Sequence, residues 1–331
     1  MTDKIFLLYI CRPMDLTIAI DILLFIAGAA LVIFGADWLV DGASGIARRS
    51  GLSEFVIGAT IVGIGTSMPE FVVSAVAAIR GNADIAIGNV AGSNLFNTLM
   101  ILGVTAMVLP LLFSRSNIRF DMPACIAASL LFLLFSLDGT VNRYEGGILF
   151  LLFIAYIWYN IKKGKGEDGG EDTAAKEPPM AVWKMILLIL AGLAGLVLGG
   201  NLFVEHGVNL AHEIGISEAV IANTLMAGGT SLPELAVCVV AAAKGRGQMA
   251  IGNIIGSNIS NILLIVGFSA AITPLNVLSV NLLSIYAVAA SAVLLLLSAL
   301  PLRTSRLTRW EGALFIALYV AYVVGIIMLG N

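Results

Sequence analysis

The sequence predicts an all-α integral membrane protein of ten transmembrane helices. They form two inverted five-helix repeats, with helices broken at a shared polar site. Three observations carry this reading. Hydrophobic residues make up 59% of the 331 and charged residues 12%, against about 45–50% and 25% in soluble domains. No water-soluble core could enclose that much apolar surface. The stretch Gly51 to Pro110 recurs without a gap as Gly215 to Pro274, with 29 of 60 positions identical. Five spans separate equivalent points of the two copies, and an odd number turns the second copy upside down in the membrane.

The elements follow in chain order. Residues 1–16 read as an N-terminal extension. Its apolar run, Ile5 to Cys11, is too short to span and lacks a cleavage pattern, and Met14 is an equally good start. Apolar runs of about 20 residues cross the hydrocarbon as helices. Ten occur: 17–40, 53–79, 84–112, 120–137, 145–161, 181–204, 217–243, 248–273, 280–300 and 310–329. The first five make the first repeat (17–161) and the last five the second (181–331). Between them KKGKGEDGGEDTAAKEPP, within 162–180, is Gly-rich and charged, and reads as an aqueous linker. The halves are expected to pack as one membrane bundle.

Lysine and arginine set the orientation. With the first loop on the cytoplasmic side, that side receives 14 of them and the other side Lys4, Arg12, Arg80 and Arg143. This positive-inside bias places both termini outside and the linker inside, in the cell inner (cytoplasmic) membrane. Trp38, Trp158, Trp183 and Trp310 fall at or close to the ends of the spans and read as an interfacial belt.

Each copy carries one glutamate inside an apolar helix. An ionised carboxylate in the bilayer interior costs a few kcal/mol and usually marks function. Neither Glu70 nor Glu234 has a lysine or arginine within a turn of sequence. Around Glu70 the sequence is GIGTSMPE (63–70). Gly63, Gly65 and Pro69 weaken the helix, so carbonyls from Gly63 to Thr66 are expected to lose partners. Thr66 and Ser67 share a helix face with Glu70. AGGTSLPE (227–234) repeats this with Ala227, Thr230, Ser231 and Glu234. The second motif, GNxxGSNxxN, places Gly88 and Gly92, and Gly252 and Gly256, four apart for close helix contact. Ser93 and Asn97, like Ser257 and Asn261, share a face. Asn94 and Asn258 lie about 100° round the helix and read as partners of broken backbone rather than ligands.

The inventory is two carboxylates, two amides, hydroxyls and carbonyls, with no imidazole or thiolate. All-oxygen ligation suits hard cations, calcium in particular; zinc or copper would recruit nitrogen or sulfur. Two carboxylates balance one Ca2+, and the same oxygens suit Na+.

GTSMPE with GSNLFN, and GTSLPE with GSNISN, resemble the two α-repeats of the sodium/calcium exchanger family, within the calcium/cation antiporter superfamily. The likeness covers both signatures, their order, their spacing and the ten-span plan. It implies a prokaryotic-type antiporter that exchanges Ca2+ for Na+ by alternating access at a midplane site. By this resemblance the ligands fall on Thr66, Ser67, Glu70, Ser93 and Asn97, and on Thr230, Ser231, Glu234, Ser257 and Asn261, with carbonyls of Gly63 and Ala227. Some relatives carry aspartate where this chain has Asn261, as in a potassium-dependent branch. Asparagine in both copies leaves two formal charges and leans against potassium co-transport.

Two alternatives keep the fold. Proton coupling would let Glu70 and Glu234 alternate between protonated and calcium-bound forms, although the GTSxPE form resembles the sodium branch. A cation channel would use the same residues as a pore lining. An enzyme is not expected, since Ser67 and Ser231 have no nearby base in sequence. No cofactor, nucleic acid or obligatory protein partner is indicated; the expected partners are Ca2+, Na+ and lipid. Cys11, Cys125 and Cys238 show no metal or disulfide spacing. Asp37 and Asp41 are expected to be solvated at the inner end of the first span, or to line a cytoplasmic vestibule. His206 and His212 are expected in the outer loop after the sixth span. The linker acids, Glu167, Asp168, Glu171 and Asp172, lack the ligand order of an EF-hand.

Overall fold

The computed structural model describes residues 16–164, 180–214, 227–277, 279–300 and 305–330. The described residues are mainly helical, with four two-residue strands among them at the turns. We name the helices α1 (Leu16–Ser50), α2 (Glu54–Thr66), α3 (Met68–Ile79), α4 (Ala83–Val108), α5 (Asn117–Ser136), α6 (Arg143–Lys163) and α7 (Val182–Glu213). The second half adds α8 (Leu232–Ala243), α9 (Gly247–Ile272), α10 (Ser279–Ala299) and α11 (Arg309–Gly330). Among the described residues, eight helices are long and apolar enough to span a membrane, or nine if the bent pair α2–α3 is one span. The protein is therefore an all-α, multi-pass membrane protein. The seventh expected span is described only as the turn Ala227–Gly229 and α8. The N-terminal extension, nearly all of the linker and residues 215–226 lie outside the described residues.

Two boundaries differ from expectation. α1 runs to Ser50 and α7 to Glu213, each about ten residues beyond its apolar run. Hydropathy marks where lipid ends, not where a helix ends, and neither extension contains proline. α1 stops at Gly51, whose φ of +68° is readily adopted only by glycine. Trp38, Asp37 and Asp41 therefore lie within a helix rather than at its end. His206 and His212 are likewise helical, not in a loop.

α2 and α3 meet at a 48° bend. Ser67 leaves helical geometry there (φ −81°, ψ 6°), and Pro69 opens the next helix. Ser231 and Pro233 repeat this before α8. Tight turns at Gly81 and Gly245, with φ of +79° and +74°, carry α3 into α4 and α8 into α9. These turns, too, are 164 residues apart.

Packing centres on α9, the most enclosed span, while α1, α6 and α11 face outward. α2 crosses α9 backbone to backbone. A Cβ added at Gly252 would lie 2.3 Å from the Phe55 carbonyl oxygen, and one at Gly256 2.4 Å from the Ala59 Cα. The expected close contact is thus present at Gly252 and Gly256. At Gly92 an added Cβ meets nothing among the described residues within 4 Å. α1 and α7 pack along their length, with Gly28 against Gly199 and Gly35 against Gly192.

The short strands tie the halves together. β1 (Leu111–Leu112) pairs with β4 (Arg306–Leu307), and β2 (Thr140–Val141) with β3 (Leu275–Asn276), both antiparallel. At one end of the bundle Arg246 Nη1 lies 2.5 Å from Glu54 Oε1, and Lys244 Nζ lies 2.7 Å from both Asp37 and Asp41.

Candidate cation site

The broken helices set the site. Because Pro69 and Pro233 start α3 and α8, Glu70 and Glu234 fall in first turns whose N–H groups lack helical acceptors. Each carboxylate sits at the positive end of a helix dipole, which favours negative charge. Both are only 1% exposed.

The two copies then exchange partners. Ser67 Oγ donates to Glu234 Oε1 at 3.0 Å, and Ser231 Oγ donates to Glu70 Oε1 at 3.0 Å. Thr66 also lies against Glu234, and Thr230 against Glu70. The motifs expected to form one site are thus interlocked, each serine serving the other copy's acid. The second oxygen of each carboxylate is buried without a hydrogen-bond partner among the described residues. Two buried carboxylate oxygens without a hydrogen-bond partner among the described residues suit a cation, whose charge would offset the cost of burying them.

Ser93 Oγ lies 3.3 Å from Ser231 Oγ, which can accept its hydroxyl proton. Asn97 is buried with neither amide atom hydrogen-bonded among the described residues. Asn261 donates from Nδ2 to Asn94 Oδ1 at 3.0 Å, leaving its own Oδ1 unpartnered. Both asparagines lie in π-helical turns, Phe96–Ile101 and Asn261–Val266; such widened turns recur at functional sites. Gly63 differs from expectation. Its carbonyl accepts from the Ser67 N–H (3.1 Å) and Ser257 Oγ (3.2 Å), and Thr66 Oγ1 lies 3.3 Å away. The carbonyl keeps its helical partner, the Ser67 N–H, and the Ser257 hydroxyl adds to it. Ala227 opens the turn Ala227–Gly229.

Asn94 and Asn258 bridge the copies. Asn94 Nδ2 donates to the Asn258 carbonyl at 3.2 Å, and Asn258 Nδ2 to Thr98 Oγ1 at 2.7 Å. Asn94 thus serves backbone, as expected, although that of a continuous helix, whereas Asn258 serves a side chain instead. Sequence reasoning missed Asn89 and Asn253. Asn253 Oδ1 accepts from Thr66 Oγ1 at 3.2 Å, and its Nδ2 donates to Cys238 Sγ at 3.1 Å. Asn89 Nδ2 donates to Ser74 Oγ at 2.9 Å and to the Glu70 carbonyl at 3.3 Å. The signal was available: both stand in the IGN triplet common to the copies, 164 residues apart.

Away from the site, His206 Nδ1 lies 2.6 Å from Asp21 Oδ1, joined by Asn209 at 3.1 Å. His206 is therefore paired rather than a lone surface residue.

A polytopic helical bundle with a buried oxygen site shared by two sequence copies belongs to the class of membrane cation transporters. The description "Sodium/calcium exchanger protein" covers the family whose model matches residues 20–162 and 184–328, and the chain belongs to that family. It is 37% identical over 304 residues to a putative antiporter, CaxA, of Alkalimonas amylolytica, covering 90% of this chain and 95% of that one. It is 34% identical over 345 residues to the sodium/calcium exchanger MaX1 of Methanosarcina acetivorans, covering 93% and 98%. A solved structure of the sodium-calcium exchanger NCX_Mj matches with a TM-score of 0.81 at 34% identity, covering 93% of this chain and 99% of that one.

Proposed function

We propose that this protein exchanges Ca2+ for Na+ across the cytoplasmic membrane, by alternating access at a single midplane site between two inverted five-helix repeats. The observation that carries the reading is the reciprocal bonding of Ser67 to Glu234 and Ser231 to Glu70. It makes the two carboxylates one divalent-charge site instead of two separate ones. Thr66, Thr230, Ser93, Ser257, Asn97 and Asn261, with the carbonyls of Gly63 and Ala227, complete the proposed ligand set. Membership of the family, and likeness to the sodium/calcium exchanger MaX1, support Ca2+ and Na+ as the exchanged ions.

The strand pairing supports inversion. β1 and β3 follow equivalent spans of the two copies, as do β2 and β4, yet β1 pairs with β4 and β2 with β3. Inverted copies bring non-equivalent turns to the same membrane face, and these are the turns that pair. With the positive-inside bias, this reading has both termini outside and the linker in the cytoplasm.

Exchange follows from electrostatics. An empty site leaves two carboxylates unpaired in a low-dielectric interior, so the switch between sides is expected only when Ca2+ or Na+ neutralises them. Flux in proteoliposomes tests this: calcium uptake driven by an outward Na+ gradient at clamped pH, with and without protonophore. Uptake coupled to Na+ and indifferent to protonophore is expected. Uptake that follows a proton gradient and ignores Na+ would establish proton coupling instead, and flux needing no counter-ion would establish a channel.

A further inference from the structure

The 164-residue offset extends upstream into α1 and α7. Gly28 and Gly35 correspond to Gly192 and Gly199, and Asp41 to Glu205. The packing obeys the same relation. An added Cβ at Gly28 points 2.8 Å from the Gly199 carbonyl oxygen, and one at Gly35 2.9 Å from that of Gly192. Each glycine faces the counterpart of the other, as a twofold relation between copies requires.

The relation fails at the helix ends. Lys244, in the turn after α8, bonds Asp37 and Asp41 of α1 at 2.7 Å each. Asp37 and Asp41 are one helical turn apart, so one ammonium reaches both. Burial works against the lysine's charge, but the two carboxylates outweigh it and hold its pKa above the ordinary value. The counterparts of Lys244, Asp37 and Asp41 are Arg80, Asn201 and Glu205 at the opposite end of the bundle. These conserve the charge signs at Arg80 and Glu205, yet neither residue has an ion-pair partner among the described residues, and all three are exposed. Helix packing shows the same asymmetry. α8 packs against α1, whereas its counterpart α3 makes at most sparse contact with α7.

We propose that Lys244–Asp37/Asp41 and Arg80–Glu205 are two alternating latches on the α1/α7 pair. The first closes the inner end in the conformation seen here, and the second closes the outer end when the inner one opens. The proposal rests on the alternating-access reading. Two packed arrangements of one element are the usual means of such a switch. Asn201 stands where the inner latch has its second acid, so the outer latch has one carboxylate fewer and holds more weakly.

Cysteine pairs in the full chain, reconstituted in proteoliposomes, test this. Lys244→Cys with Asp41→Cys should cross-link readily with a short bifunctional thiol reagent and arrest Na+-driven calcium flux until reduced. Arg80→Cys with Glu205→Cys should cross-link slowly. Adding Lys244→Gln to that second pair should raise its yield about threefold to fivefold, as expected from losing a partly exposed ion pair. A yield indifferent to Lys244→Gln, with flux still arrested by the 244–41 cross-link, would overturn the latches alone. Flux that persists through the 244–41 cross-link would overturn the alternating-access reading itself. Tm measured for each variant separates misfolding from either result, and Lys244→Arg should restore the parental yield.

Discussion

α3 and α8 are counterparts, yet they occupy different environments. Both begin with Ser-Met/Leu-Pro-Glu, both run for 12 residues, and both present a buried glutamate. Val73 of α3 is 39% exposed, while its counterpart Val237 is 0% exposed. α8 is covered by α1; α3 has no such cover from α7. Related local sequences thus bury equivalent glutamates, while the rest of the bundle covers the two helices unequally.

The largest expected effect tests the symmetric part. Glu70→Gln and Glu234→Gln each remove half of the formal charge while keeping shape. Each should reduce calcium exchange by about 100-fold or more, as expected for losing a charged ligand worth roughly 3 kcal/mol, without lowering Tm. Measured isotope flux near the parental level in both variants would remove the carboxylates from the site; loss in only one would break the equivalence of the copies.

Glycine substitutions probe the asymmetric part. Gly256 touches the backbone of α2, whereas its counterpart Gly92 meets nothing among the described residues. Gly256→Ala should therefore destabilise by about 1–3 kcal/mol through overpacking, and Gly92→Ala by little. Comparable losses of Tm in the two would contradict the packing difference.

Thiol chemistry reads the same contrast directly. Val73→Cys should react with N-ethylmaleimide at least about 10-fold faster than Val237→Cys, because local opening must precede reaction at a buried position. Equal rates would mean that α8 is no better covered than α3. Cys125 and Cys238 are buried and contribute little background.

The smallest effect concerns positioning. Asn253→Ala removes the acceptor of the Thr66 hydroxyl and the donor to Cys238. A lost neutral hydrogen bond of about 1 kcal/mol corresponds to roughly fivefold weaker calcium activation. Half-saturation for calcium should rise while maximal flux changes little; an unchanged half-saturation would leave Thr66 correctly placed without Asn253.

Much of this was legible in the sequence because its signals are local or periodic. Apolar runs give spans, and the duplication pairs Glu70 with Glu234. Pro69 and Pro233 disrupt helices by removing a backbone donor wherever they stand. The hydrocarbon forbids unpaired polar groups, so buried acids with hydroxyl neighbours announce a site before any fold is known. Helix ends were less legible. α1 and α7 continue past the lipid boundary because nothing in Gly42–Ser50 or Glu205–Glu213 stops a helix, and hydropathy reports only the solvent.

The sequence by itself determined the membrane class, the repeat and the chemical identity of the site residues. Composition, period and backbone chemistry act at short range and need no partner. Only the tertiary structure decided that Ser67 serves Glu234 rather than Glu70, that Asn253 accepts from Thr66, and that Lys244 pairs with Asp37 and Asp41 while Arg80 has no ion-pair partner among the described residues. These are contacts between residues more than 150 positions apart, set by how two related copies cross, and local sequence signals do not encode such long-range pairings.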